Sequence, residues 1–276
     1  MQGEQLDAIE VSVSGLAGDR AYALIDATTG KVVSAKNPRL WPNILNCHAR
    51  FLESPRTGEE PPPVLITLAD GTSVTSDASD VDTVLSAFFA RKVLLARTAP
   101  ADMTIDQYHP DLNGLDPAGH RDTTVDALIG SAWFAEEGLP SPVSDSAFFD
   151  LFPLSVLTTS TLNRLRELAP DSSIDERRFR MNVIVAPTGS GFVENSWVDR
   201  QLTVGDVGID VKHPDPRCVM TTLAQQDLPR DSNVLRTLVQ HNKIDVGGEG
   251  LYPCAGVYAV VSSSGTIQRG ARVTIS

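Results

Sequence analysis

The sequence predicts an α+β fold that is predominantly β, and three observations predict it. Short runs rich in Val, Ile and Leu recur along the chain between Gly, Asp, Ser and Pro clusters, the pattern of strands separated by turns. Paired runs are joined by dipeptides such as Asp70-Gly71, which accept the positive backbone angles of a tight hairpin. Only three stretches place apolar residues at helical spacing, and all three are short.

In the first hundred residues, Arg20 to Ile25 reads as an extended run, Thr29-Gly30 as a turn and Val32 to Ala35 as the returning strand of a hairpin. Leu45 to Leu52 is a further strand, and Pro61-Pro62-Pro63 an exposed connection. Val64 to Leu68 and Ser73 to Thr75 flank Asp70-Gly71 as a second hairpin. Val81 to Phe89 is a helix with Val84, Leu85 and Phe88 on one side and Asp77 or Ser79 near its start. From about Thr98 to Asp150 the composition turns to Asp, Pro, Gly and Ser with little apolar periodicity, which predicts a long irregular connection. The expected organisation is therefore an N-terminal unit over 1–100, a connection over 101–150 and a second unit over 151–276. In that second unit Leu154 to Thr158 is a strand, and Thr161 to Leu168 a helix capped by Ser160, with Leu162, Leu165 and Leu168 on one stripe. Val183 to Val185, Leu202 to Val204, Val207 to Val211, Val257 to Val261 and Val273 to Ile275 are short strands, as in a small barrel. Val234 to His241 is the last helix, with Leu235 and Leu238 facing inward.

The chain is 276 residues long and 41% hydrophobic, enough apolar surface for a real core. No run approaches the roughly 18 apolar residues of a membrane span, and MQGEQLDAIEV lacks the basic and apolar regions of a signal peptide. A soluble, cytoplasmic protein without membrane attachment is expected. The formal charge of −12 disfavours nucleic acid as a partner. Yet 18 of the 23 basic residues are Arg, the side chain that grips phosphate or carboxylate bidentately, so a small anionic ligand suits the chain. Cys47, Cys218 and Cys254 are odd in number and widely spaced, which suits a reducing compartment rather than a disulfide framework. No CxxC, HExxH, GxxxxGK[ST] or strand-linked GxGxxG occurs, which argues against structural zinc, zinc proteases, P-loop enzymes and dinucleotide-binding enzymes. His109, His120 and Asp122 lie in the 101–150 connection. Scattered loop histidines are more often solvated than ligands, so a metal site is not the expectation there.

The most informative stretch is Pro214-Asp215-Pro216-Arg217-Cys218-Val219-Met220-Thr221-Thr222. Prolines restrict the backbone, Arg217 adjoins the thiol and two hydroxyls follow, which predicts a sulfur at a loop-to-strand junction in a positive setting. A neighbouring guanidinium lowers a thiol pKa, and the thiolate is both nucleophile and soft metal ligand. Composition alone leaves open that Cys218 is a buried small hydrophobe. In Arg177-Arg178-Phe179-Arg180-Met181-Asn182, strand alternation would put Arg178, Arg180 and Asn182 on one side, three donors for an anion. An Arg-rich surface strand paired with Asp171, Asp175 and Glu176 is the equal alternative. Thr158, Thr159 and Ser160 offer hydroxyls and amides at a helix start, which capping also explains.

Gly15-Leu16-Ala17-Gly18-Asp19-Arg20-Ala21-Tyr22 with Pro38-Arg39-Leu40 resembles the N-terminal β-barrel domain of MOSC proteins. Arg178 to Asn182, Phe192-Val193-Glu194 with Trp197, Gly205-Asp206, Arg217 to Thr222 and Leu235-Arg236-Thr237-Leu238 resemble the MOSC domain itself. The resemblance covers nearly the whole chain and implies a MOSC β-barrel, of the pyruvate kinase β-barrel-like kind, with a β-rich N-terminal domain and a few short helices. Relatives of this type include the mitochondrial amidoxime-reducing component and related bacterial N-hydroxyl reductases, and they bind molybdenum cofactor (Mo-molybdopterin). The resemblance implies that Cys218 is the metal ligand and catalytic centre, and that Arg20, Thr158, Thr159, Arg180, Asn182 and Arg217 hold the pterin and its phosphate. The donor inventory adds Arg178 and Thr221. Family members begin with a strand ending in a Pro-x-Lys-Ser-like segment just before the position of Gly3, so this first strand is expected to be missing from 1–100. Cys47 and Cys254 match no family ligand and are read as structural.

The implied activity is a molybdenum-dependent oxidoreductase that reduces small N-hydroxylated or N-oxide substrates by oxygen-atom transfer. A separate redox protein would donate the electrons, because no plant-type ferredoxin spacing follows the MOSC region. An alternative keeps the same cysteine in a sulfur or molybdenum-cofactor carrier without turnover, since MOSC domains also occur appended to cofactor sulfurases; no stretch here reads as their PLP-binding domain. A third reading retains the barrel without its site.

Overall fold

The protein is described from a computed structural model covering residues 1–276. Its N-terminal half contains β1 (Ala8–Ser12), β2 (Gly15–Leu16), β3 (Ala23–Asp26), β4 (His48–Phe51), β5 (Val64–Thr67), β6 (Ser73–Thr75), α1 (Val81–Phe89) and β7 (Val93–Ala96). A hairpin follows, β8 (Thr104–His109) with β9 (Thr123–Leu128), then α2 (Ser131–Glu136). The remainder comprises β10 (Leu154–Thr158), α3 (Thr159–Leu168), β11 (Val183–Val185), β12 (Gln201–Val204), β13 (Val207–Pro216), α4 (Asn233–His241), β14 (Lys243–Asp245), β15 (Leu251–Ser263), β16 (Gly265–Gln268) and β17 (Val273–Ile275). Strands predominate over the four α-helices, as the run pattern predicts. No helix is long and apolar enough to cross a membrane.

The largest sheet runs β11-β10-β15-β13-β12-β17, with β14 also paired to β15. It curls into a nearly closed barrel: Val185 at one edge and Val204 near the other share one core with Val156, Ile209, Val211 and Val257. These inward side chains come from alternate positions, the geometry that lets one face of each strand reach the interior. A second core gathers Leu24, Trp41, Leu45, Ile66, Leu85 and Val93 in the N-terminal half. Helices α3 and α4 close a third, around Leu162, Leu165, Val234 and Leu238.

Several expectations change. The hairpin around Asp70-Gly71 forms, with Gly71 at a φ of 89° and the Asp70 carboxylate accepting the Thr72 amide at 2.9 Å. The earlier hairpin forms only in short form, with Ile25 opposite Val32, Asp26 N donating to Lys31 O at 2.9 Å and Val33 N to Leu24 O at 2.8 Å, while the full-length partner of β3 is β7. The stretch 101–150 is not an irregular connection, because β8 and β9 pair over six residues and α2 follows. Their Thr, Asp and Gln positions interrupt the apolar pattern, yet Ile105 is buried on one face of β8 and Tyr108 on the other. The division at 100–151 is likewise incomplete. β1 pairs with β16, and Val11 is buried in the barrel core. Thr158 rather than Ser160 caps α3, its hydroxyl accepting the Thr161 amide at 3.0 Å. Finally, Arg178 to Asn182 are not on a strand. Glu176–Arg178 form a 3-10 turn, and β11 begins only at Val183.

Candidate functional site

Cys218 stands where β13 ends. Three register shifts against β15, the last between Pro214 and Pro216, bend the strand, as β-bulges do where a side chain must be re-aimed. The 3-10 turn Val219–Thr222 starts at once, and its Met220, with Leu223 beyond, packs against the N-terminal core. The partly exposed thiol therefore lies where two cores meet. Cys47 and Cys254 are wholly buried and unpaired.

The charges around this junction come from distant parts of the chain. Lys36 lies 2.9 Å from Asp150. Burial pushes the Cys218 thiol above its ordinary range; the Lys36 ammonium is the strongest charge opposing that rise, and Asp150 reinforces it. The expected lowering by Arg217 is thus corrected: its pull is weaker than that of Lys36, and burial outweighs both. The reason is that Arg217 is spent internally. Its guanidinium donates to Ala255 O at 2.8 Å, Phe179 O at 3.0 Å and Met181 Sδ at 2.8 Å, and it pairs with Asp215. Asp215 is 2% exposed and one of its carboxylate oxygens has no hydrogen-bond partner. Burial raises its carboxyl to about 6 against the pull of Arg217, and desolvation first, then the Asp215 charge, push the Tyr258 hydroxyl up as well.

Two arginines with spare donors face a cleft of about 1130 Å³ whose wall also includes Asp19, Asp150 and Asn182. Arg20 is half-exposed and only loosely paired, 3.9 Å from Asp19. Arg180 donates at 2.8 Å to the Met1 carbonyl, and burial together with the Arg20 charge pushes its pKa down to about 10. Both residues hold left-handed backbone conformations, with φ of 55° and 56°. Such a conformation costs roughly 1–2 kcal/mol for a residue with a Cβ, and strain of this kind clusters at functional sites. Cys218 and Lys36 are not in the cleft wall; Asp150, which is, acts electrostatically on both.

The other sequence-derived candidates are placed differently. Arg178 is 1% exposed and its guanidinium is caged by Ser173, Thr221, Leu223 and Pro229 oxygens at 2.7–3.4 Å. It joins two 3-10 turns and has no donor free for a ligand, which corrects the reading of three arginine and asparagine donors on one strand face. Thr221 is buried and its hydroxyl donates to Cys218 O at 3.1 Å, shaping the turn after the cysteine. Thr158 is fully buried and donates to Glu194 at 2.7 Å. Thr159, the first residue of α3, is partly exposed. Asn182 bridges Asp19 Oδ2 at 2.8 Å and Ser155, linking the N-terminal turn to β10. Reading by residue type missed Lys36, Asp150, Asp215 and Tyr258. Lys36 carried a signal, as one of few lysines in an Arg-rich chain and two residues before Pro38, and Asp215 lay within the Pro214–Thr222 stretch without being given a role.

The MOSC domain family model matches residues 144–274. Over 87 residues, 30% of this chain, the sequence is 38% identical to molybdenum cofactor sulfurases from Drosophila pseudoobscura pseudoobscura and Drosophila persimilis. The matched stretch spans 11% of the length of those relatives. Among solved structures, YiiM from Geobacillus stearothermophilus is similar over 45% of this chain and 54% of its own, at 15% identity and a TM-score of 0.31.

Proposed function

Residues 144–274 belong to the MOSC domain family, and from that premise we propose that the protein binds molybdenum cofactor through Cys218 and reduces small N-hydroxylated or N-oxide molecules. The observation that carries this reading is the pair of strained arginines, Arg20 and Arg180, facing one cleft whose wall includes Asp150, a charge that also acts on the Cys218 thiol outside that wall. Two cations that repel each other in a partly buried setting are stabilised when an anion joins them. A pterin phosphate is such an anion, so the donor set fits the cofactor.

When bound, the cofactor supplies oxygen-atom transfer, chemistry that no side chain provides. The chain's own residues bind and tune. Cys218 must lose its proton to act as a ligand, and the Lys36 ammonium favours that loss. Arg20 and Arg180 hold the anionic end, Thr159 offers a hydroxyl at the start of α3, and Asn182 holds the Asp19 turn in place. Arg217, Arg178, Thr158 and Thr221 act at one remove, by fixing the backbone that presents these groups. A separate redox protein supplies the electrons. Protein made in molybdenum-replete cells is expected to carry about one molybdenum per chain, as one thiolate site implies. It should reduce an N-hydroxylated substrate with a chemical electron donor. Metal analysis that finds no molybdenum, or equal molybdenum after Cys218→Ser, overturns the proposal. The similarity to molybdenum cofactor sulfurases favours a second reading, a sulfur or cofactor carrier. In that case mass spectrometry finds labile sulfur on Cys218 and no molybdenum.

A further inference from the structure

The hairpin connection 110–122 brings together side chains that the sequence leaves scattered. His109 ends β8, and the chain folds back so that Asp116 and His120 meet it, their ligand-type atoms all within 4.8 Å of one another. Asp116 Oδ2 lies 2.6 Å from His109 Nδ1 and 3.5 Å from His120 Nδ1. Neither approach gives that oxygen a well-formed hydrogen bond, although it is buried. Its partner oxygen accepts the His120 amide at 3.3 Å, which fixes the carboxylate's orientation. The His109 side chain is 8% exposed, as is that of Asp116, whereas His120 is 39% exposed. The two imidazoles stand 4.9 Å apart, centroid to centroid.

A carboxylate oxygen buried without a hydrogen bond is costly unless something positive completes it. Neither imidazole does so as placed, since neither Nδ1 approach forms a hydrogen bond to it. Two histidines and one carboxylate are the ligand set of three-ligand zinc sites, which keep the fourth position for water. The exposed side of His120 leaves that position open to solvent. We propose that His109, Asp116 and His120 bind one divalent transition metal ion of the zinc type, clipping the 110–122 connection to the end of β8. The clip bears on the neighbouring site through the backbone, because the Tyr108 amide donates to Lys36 O at 2.9 Å. The residue beside the first metal ligand thereby helps to position the turn that carries Lys36.

The test uses the full chain, stripped with a chelator and titrated with ZnCl2 by calorimetry. One Zn2+ per chain is expected. His120→Ala, a change at a half-exposed position, should weaken binding by more than about 100-fold, beyond the 10–100-fold typical of losing a supporting partner. Asp116→Asn should do the same. Cys218→Ser should leave zinc affinity within about twofold, and Co2+ in the site should show no thiolate charge-transfer band. Absence of saturable uptake, or uptake abolished by Cys218→Ser but retained in His120→Ala, overturns the proposal. None of these outcomes depends on whether molybdenum binds at Cys218.

Discussion

At the scale of single residues, the site separates groups that can meet a ligand from groups already spent inside the fold. Cys218 is the only partly exposed cysteine, so native protein free of metal should take up one equivalent of iodoacetamide per chain, counted by mass spectrometry. Because burial raises this thiol while Lys36 lowers it, Lys36→Met should slow alkylation at a given pH, and Asp150→Asn should speed it. Unchanged rates in both variants would show that the neighbouring charges do not reach the sulfur. The arginines divide in the same manner. Arg20→Gly relieves a left-handed residue and should leave stability unchanged or raised by up to about 1 kcal/mol, while cofactor retention falls. Arg178→Met should instead destabilise by about 2–3 kcal/mol or more, the cost of leaving several buried oxygen acceptors without a donor, as read by urea unfolding. The sequence drew attention to both arginines without distinguishing them. What separates them is which has its guanidinium surrounded by carbonyls, a matter of contacts up to 51 residues away.

At the scale of elements, the start of α3 shows how one polar knot holds several pieces in place. The Thr158 hydroxyl accepts the Thr161 amide and donates to Glu194, whose other oxygen accepts the Gly256 amide at 3.1 Å. Glu194 is fully buried, so the knot fastens α3, β10, the turn Val193–Trp197 and β15 together. Gly256 has a φ of 82°, and a Cβ there would lie 2.6 Å from Val156 O, which is why the close approach needs glycine. Thr158→Val keeps the shape but removes the cap and a carboxylate partner. It should cost about 2–3 kcal/mol in the denaturation midpoint, with Thr158→Ser restoring most of it. A valine variant as stable as the parent would mean that Glu194 finds another donor. Helices α1 and α4 and the hairpin β5–β6 were legible in advance, because their periodicity and turn chemistry are local. The β8–β9 hairpin was not, since its outward polar residues mask a buried side that is defined only by packing on Val32 and Phe148.

At the scale of the whole molecule, the candidate site occupies the seam between the barrel core and the N-terminal core, and pH acts there through Asp215. Its folded pKa of about 6 lies above the ordinary carboxylate value, so the folded chain retains a proton that the unfolded chain releases. Ionised Asp215 therefore costs stability above pH 6, and the cost disappears as pH falls below about 4. Relative to Asp215→Asn, the parent protein should lose up to about 3 kcal/mol between pH 4 and pH 7, measured by unfolding of both proteins across that range; a constant difference would place Asp215 in an ordinary, solvated setting. By itself the sequence determined the predominance of strands, the three amphipathic helices and the stretch around Cys218, because each is written in neighbouring residues through periodicity or side-chain chemistry. Tertiary structure alone decided that Lys36 and Asp150 set the charge beside the sulfur, that Arg178 is a caged strut and that a strand-end histidine and a loop histidine share one aspartate. Those facts depend on which remote segments share a low-dielectric space, and chain order does not encode that distance.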